Sequence, residues 1–145
     1  MTHEDKGHFS NKHPEERRLN PDVLRAVKER NREEGLPCAV AFDLASDLGV
    51  PPEEVGFTAD RLEIPLIRCQ LGLHGYGPSR KIVKPADSVP AELEARIRKG
   101  VVDGKLPCRA AWDIAAEQEM PKLAVSSACE ALGIKISSCQ LGAFR

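Results

Sequence analysis

Four cysteines stand at matched places in the chain. Cys38 and Cys108 each follow a Leu-Pro pair, and Cys69 and Cys139 each precede Gln-Leu-Gly. Four thiolates gathered in space hold zinc tetrahedrally or carry an iron–sulfur cluster. Within each pair, however, the cysteines are 31 residues apart and neither pair has the close Cys-x-x-Cys knuckle, so tertiary structure alone would have to assemble the site. The same thiols offer a second chemistry. An accessible Cys69 or Cys139 with a lowered pKa would act as a redox sensor. Cys38 and Cys108 begin an apolar helical stripe and read better as small core residues. The fifth cysteine, Cys129, aligns with Ala59 and reads as core.

Other chemistry-bearing residues are weaker candidates. Asp43 and Asp113 recur at matched mid-helix positions, where paired carboxylates serve acid–base work or simply lie on the surface. His3, His8 and His13 fall five apart in a polar N-terminal segment, a pattern that suits a metal or solvated side chains alike. No Gly-rich phosphate loop, nucleophile elbow or His-Glu-x-x-His occurs. The expectation is a protein with no catalytic residues and no cofactor, and zinc or an iron–sulfur cluster is the alternative.

The elements that carry these residues come in duplicate. Leu36 to Gly72 repeats as Leu106 to Gly142, with every matched position offset by 70 and no insertion. Copies of this size make marginal cores alone, so two lobes packed as an internal pseudo-dimer are expected. The expected organisation is a flexible tail over 1–19, one repeat over 20–75, a basic Gly/Pro linker over 76–89 and a second repeat over 90–145.

Each copy reads as three helices and a strand. The first helix opens on the cap and proline of Asn20-Pro21-Asp22 and stops by Gly35; its counterpart covers Pro90 to Lys99. The second runs from Pro37 to Leu48, with Cys38, Ala41, Phe42, Ala45 and Leu48 on one stripe. The third spans Pro52 to Glu63, or Pro121 to Leu132 in the second copy. Ile64–Cys69 and Ile134–Cys139 then alternate as strands, with Ile64, Leu66, Ile134 and Ile136 inward and a fold-back into a hairpin or wing at Gly72 and Gly142.

Three helices with a tight turn at Leu48-Gly49-Val50, then a hairpin, resemble the winged helix-turn-helix superfamily, here in tandem. The duplicated Leu-Pro-Cys and Cys-Gln-Leu-Gly signatures are similar to those of uncharacterised bacterial proteins with this arrangement. The fold class expected is mainly α with small β-hairpins, in two winged-helix-like lobes. The resemblance implies a regulatory DNA-binding protein whose third helix reads the major groove. Its contacts would come from Thr58 and Arg61, from Lys122, Ser126 and Ser127, and from a linker arm of Tyr76, Arg80, Lys81 and Lys84.

Charge points elsewhere. The whole chain carries a formal net charge of -1, which gives no general attraction to nucleic acid. From Leu36 to Gly75 there are two bases against six acids, and from Leu106 to Arg145 four against four. Glu53, Glu54 and Asp60 lie on the very helix that would meet phosphates. A protein–protein adaptor using the same lobes is therefore the competing expectation. No apolar run reaches membrane-spanning length and no leader pattern precedes the polar N-terminus, so a cytoplasmic protein without a membrane partner is expected.

Overall fold

Asn20 begins the ordered architecture as the sequence predicts. Its Oδ1 accepts the Asp22 N–H at 2.9 Å, Pro21 occupies the first turn, and helix α1 runs Pro21–Arg30 with Val23 and Val27 buried. In this computed structural model, residues 13, 17–76 and 81–144 are described. Helix α1 stops well before Gly35, which instead closes a tight turn by exchanging two 3.0 Å backbone bonds with Arg32.

The remaining elements follow in order: β1 Leu36–Pro37, α2 Cys38–Leu48, α3 Pro52–Arg61, β2 Leu66–Ile67, α4 Ala91–Gly100, β3 Lys105–Pro107, α5 Cys108–Glu117, α6 Lys122–Leu132 and β4 Lys135–Ser137. The described part is mainly helical with small strands. None of its helices is long and apolar enough to cross a membrane.

The strands correct the expected hairpins. β2 pairs with β1 in parallel, Leu36 opposite Leu66 and Pro37 opposite Ile67; β4 pairs with β3 in parallel over Lys105–Pro107 and Lys135–Ser137. Parallel neighbours need a crossover, and the α2–α3 and α5–α6 helix pairs supply it. Each repeat is thus a β-α-α-β unit behind its first helix, and the strand after the third helix does not fold back as a wing. The inward face is also reversed. Ile67 and Ser137 are buried while Leu66 and Ile136 are only half-buried, because a period of two identifies faces without saying which one meets the core.

The described chain divides into two compact units, Met1–Cys69 with Gln140–Arg145, and Gln70–Cys139. The boundary expected after Gly75 therefore falls after Cys69, and the final residues close the first unit. There α1 packs on both α2 and α3, around Val23, Val27, Leu36, Ala41, Val55, Phe57 and Leu141. Gly56 fixes the closure, since a Cβ placed on it would lie 1.7 Å from the Leu141 carbonyl oxygen. In the second unit α4 packs on α5 and α5 on α6, with Leu71, Leu93, Ile97, Leu106, Val125 and Cys129 in the core. On α2 the buried stripe is Cys38, Ala41, Leu44 and Ala45. Phe42 sits at its half-buried edge and Leu48, in the last turn, is exposed.

The flanking segments are not free chain. In the second unit the Ile82 and Val83 N–H groups donate to the Gly72 carbonyl at 2.8 and 3.1 Å, and Ala86 donates to the Ser127 carbonyl at 3.0 Å. Val83 is buried. The expected linker is here a strap laid along α6. The expected tail likewise includes His13 and Arg17, which are seated on α3; residues 1–12 and 14–16 lie outside the described residues.

Candidate functional site

The densest gathering of polar chemistry lies on α3 of the first unit. Its sequence, Pro-Glu-Glu-Val-Gly-Phe-Thr-Ala-Asp-Arg, starts with proline and two glutamates at the positive end of the helix dipole. Gly56 turns one side to the Leu141 backbone, and Val55 and Ala59 face the core. That leaves Glu54, Phe57, Asp60 and Arg61 for the outward side.

This outward side is covered. Every residue from Val55 to Asp60 is buried. The His13 Nε2 lies 2.7 Å from Asp60 Oδ2, and the His13 ring meets Phe57 edge-on with centroids 4.8 Å apart. The Arg17 guanidinium stacks 3.8 Å from the Phe57 centroid and donates to Glu54 Oε2 at 3.1 Å. Arg61 approaches the same ring at 5.4 Å and donates to the Arg17 carbonyl at 3.0 Å. Asp60 is in the last turn of α3, where the dipole disfavours a carboxylate; the His13 ring offsets that cost. Thr58 turns its hydroxyl back to donate to the Glu54 carbonyl at 2.9 Å.

The second unit lacks this cluster. Ser127, Glu130 and Ala131 take the places of Phe57, Asp60 and Arg61, and Val83 takes that of His13. Lys81 pairs with Glu130 at 2.5 Å, and Lys122 stands 4.4 Å over the Trp112 ring. The Ser126 Oγ, at the position of Gly56, is buried with no hydrogen-bond partner among the described residues.

The residues expected to contact DNA differ widely in exposure. Thr58 and Ser126 are fully buried and have no surface to offer a base edge. Arg61 and Ser127 are half-buried, and the Ser127 carbonyl holds the strap. Lys84 is exposed, Lys81 and Lys122 have the partners just named, and Tyr76 is half-exposed. Arg80 lies outside the described residues. His13 and Arg17 lie over the outward side of α3, and the 82–86 segment is bonded along α6.

Among the described residues no group of three or more His, Cys, Asp or Glu side chains is placed to hold a metal. Cys38, Cys69 and Cys108 are buried and Cys139 is half-exposed. Of the two outcomes the strand pattern leaves open for Cys69, burial and access, burial is the one found. Asp43 and Asp113 are exposed on α2 and α5; His3 and His8 lie outside the described residues.

Cys129 gives a pH-dependent consequence. Burial first, and Glu130 second, push its thiol from 9.0 up to about 11. Above pH 9 the unfolded chain loses this proton while the folded chain keeps it, so stability present below pH 9 declines until the folded thiol also ionises. We expect a loss of roughly 2–3 kcal/mol between pH 9 and 11 from this group. Denaturant midpoints measured across that range should fall less steeply in Cys129→Ala, the residue already present at Ala59.

A sequence cue for the covered helix existed but was faint. Carrying the offset of 70 upstream of Asn20 pairs His13 with the buried Val83 and Leu19 with Val89. In comparisons with known proteins, the chain matches no family model, no curated protein and no solved structure.

Proposed function

We propose that this chain is a non-enzymatic regulatory protein that acts by binding another protein, built on two helix-turn-helix-like units. One observation carries the reading: the outward face of α3, which would have to enter the major groove, is already covered by His13 and Arg17. Acidic charge supports it, since Glu53 in the first turn of α3 is exposed and Glu54 beside it is half-buried, where they would repel phosphates.

Duplex DNA is the second reading. It is favoured by the short breaks between α2 and α3 and between α5 and α6, which have helix-turn-helix length, and by the exposed Lys84. The two separate in a titration of random duplex at 50 and 200 mM salt. We expect no shift at either. A low-salt shift that weakens by orders of magnitude at 200 mM, and weakens again in Lys81→Ala with Lys84→Ala, would replace protein binding with DNA binding.

A further inference from the structure

We infer that an exposed row on the second unit, Val102, Lys105 and Lys135, is a docking face for an acidic segment of a partner protein. The inference rests on the protein-binding reading above and names the partner's chemistry.

Backbone pairing builds the row. Val102 and Lys105 exchange two backbone hydrogen bonds, at 2.8 and 3.1 Å, across the loop Asp103-Gly104. Both loop residues have positive φ, 52° and 81°, as the tight Asp-Gly hairpin turn requires. On its other side Lys105 stands in register with Lys135, where β3 pairs with β4. Residues directly opposite on neighbouring strands point to the same face. The three side chains therefore stand side by side, about 4.8 Å from one to the next, and all three residues are exposed. Val102, at 58%, is the most exposed large apolar residue among those described.

Two ammonium groups directly opposite each other repel, and such a pair weakens the sheet that holds it. No acid among the described residues forms an ion pair with either lysine, although Lys81, Arg96 and Arg98 of the same unit each have a glutamate. Asp103 belongs to the loop, outside the row. The fold does not need lysines here, for Arg32, Gly35 and Pro65 hold the three matched positions in the first unit. A carboxylate brought between Lys105 and Lys135 relieves the repulsion, and Val102 beside them covers an apolar side chain. That combination selects an acidic peptide with an apolar residue next to its carboxylates. A nucleic-acid backbone offers nothing to the valine, and two lysines on a chain of net charge -1 attract duplex weakly.

The test titrates the full chain with a fluorescein-labelled peptide, Gly-Leu-Asp-Glu-Leu-Asp-Glu-Gly, and with a counterpart in which Asn and Gln replace Asp and Glu. At 50 mM salt the acidic peptide should bind saturably and its amide counterpart at least tenfold more weakly. Lys105→Gln with Lys135→Gln should weaken the acidic peptide at least tenfold, as the loss of two charge pairs implies. Val102→Ser should weaken it about threefold. Arg25→Gln with Lys28→Gln, an equal charge change at exposed positions of α1, should leave it within twofold. Lys105→Gln alone should raise the denaturant midpoint, because the repulsion goes with it. A fall in that midpoint would make the pair structural and overturn the inference. No saturable binding, or equal losses in the two double variants, overturns it too. Random duplex titrated in parallel separates the two levels. Salt-sensitive duplex binding that is lost in Lys105→Gln with Lys135→Gln assigns the row to phosphates and overturns the protein-binding reading as well. Absence of both peptide and duplex binding removes only the docking row.

Discussion

Gly56→Ala is expected to destabilise the first unit by at least ~3 kcal/mol, the upper part of the range for overpacked cores. The added carbon would stand 1.7 Å from the Leu141 carbonyl oxygen and 2.7 Å from its carbon. Both are backbone atoms, so no rotamer change relieves the clash. Either α3 or the segment carrying Leu141 must move. Two measurements check this: a drop in the denaturant midpoint, and new cleavage by chymotrypsin at Leu141. Ser126→Ala is the control. It removes an unpartnered buried hydroxyl at the matched position, so it should change stability little or raise it by up to about 1 kcal/mol. Equal losses from the two substitutions would show that the Gly56 contact does not seat the closing segment.

Phe57→Ala should cost about 3–5 kcal/mol, the usual range for emptying a buried aromatic site. In a unit of this size that lowers the thermal midpoint by roughly 20–30 °C. The ring is 1% exposed and three side chains depend on it: His13 edge-on, Arg17 stacked and Arg61 nearby. Phe57→Leu divides the effect. Leucine keeps much of the apolar volume but offers no π face, so the loss in Phe57→Leu should be nearer 1–2 kcal/mol, set by packing mismatch and the missing cation–π contacts. The Arg17→Ala change, made on each background, should cost less once the ring is gone. Additive losses would mean that Arg17 is held by Glu54 alone.

How far the sequence reached differs from element to element. Helix starts were legible because their causes are local. Asn20-Pro21-Asp22 is a complete cap signal, and Gly49 ends α2 in the left-handed conformation that glycine favours. The parallel pairing of β1 with β2 was not legible, since nothing local to Ile64–Cys69 says that its partner is Leu36–Pro37 rather than a following strand. The inward face of β2 was misread for the same reason.

The candidate site was hidden by a different effect. Glu54, Asp60 and Arg61 are polar, and amphipathic reasoning assigns polar helix positions to water. Asp60 is buried beside His13, 47 positions away. A charged residue enters the interior only with a partner, and the partner lay in a segment whose composition resembles a solvated tail. Phe57 alone hinted otherwise, as an aromatic on the supposed outward side.

The path of the chain through the first unit bears on how the protein is made. Synthesis proceeds from the N-terminus, and domains commonly fold as they emerge. This unit cannot, because it holds Met1–Cys69 and also Gln140–Arg145. The whole of Gln70–Cys139 must leave the ribosome first, which takes roughly 4–14 s at ordinary elongation rates. During that interval the small patch around Gly56 faces solvent, available to chaperones or to the tail of another nascent chain. The core around Gly56 is therefore closed by residues made after the whole of the second unit.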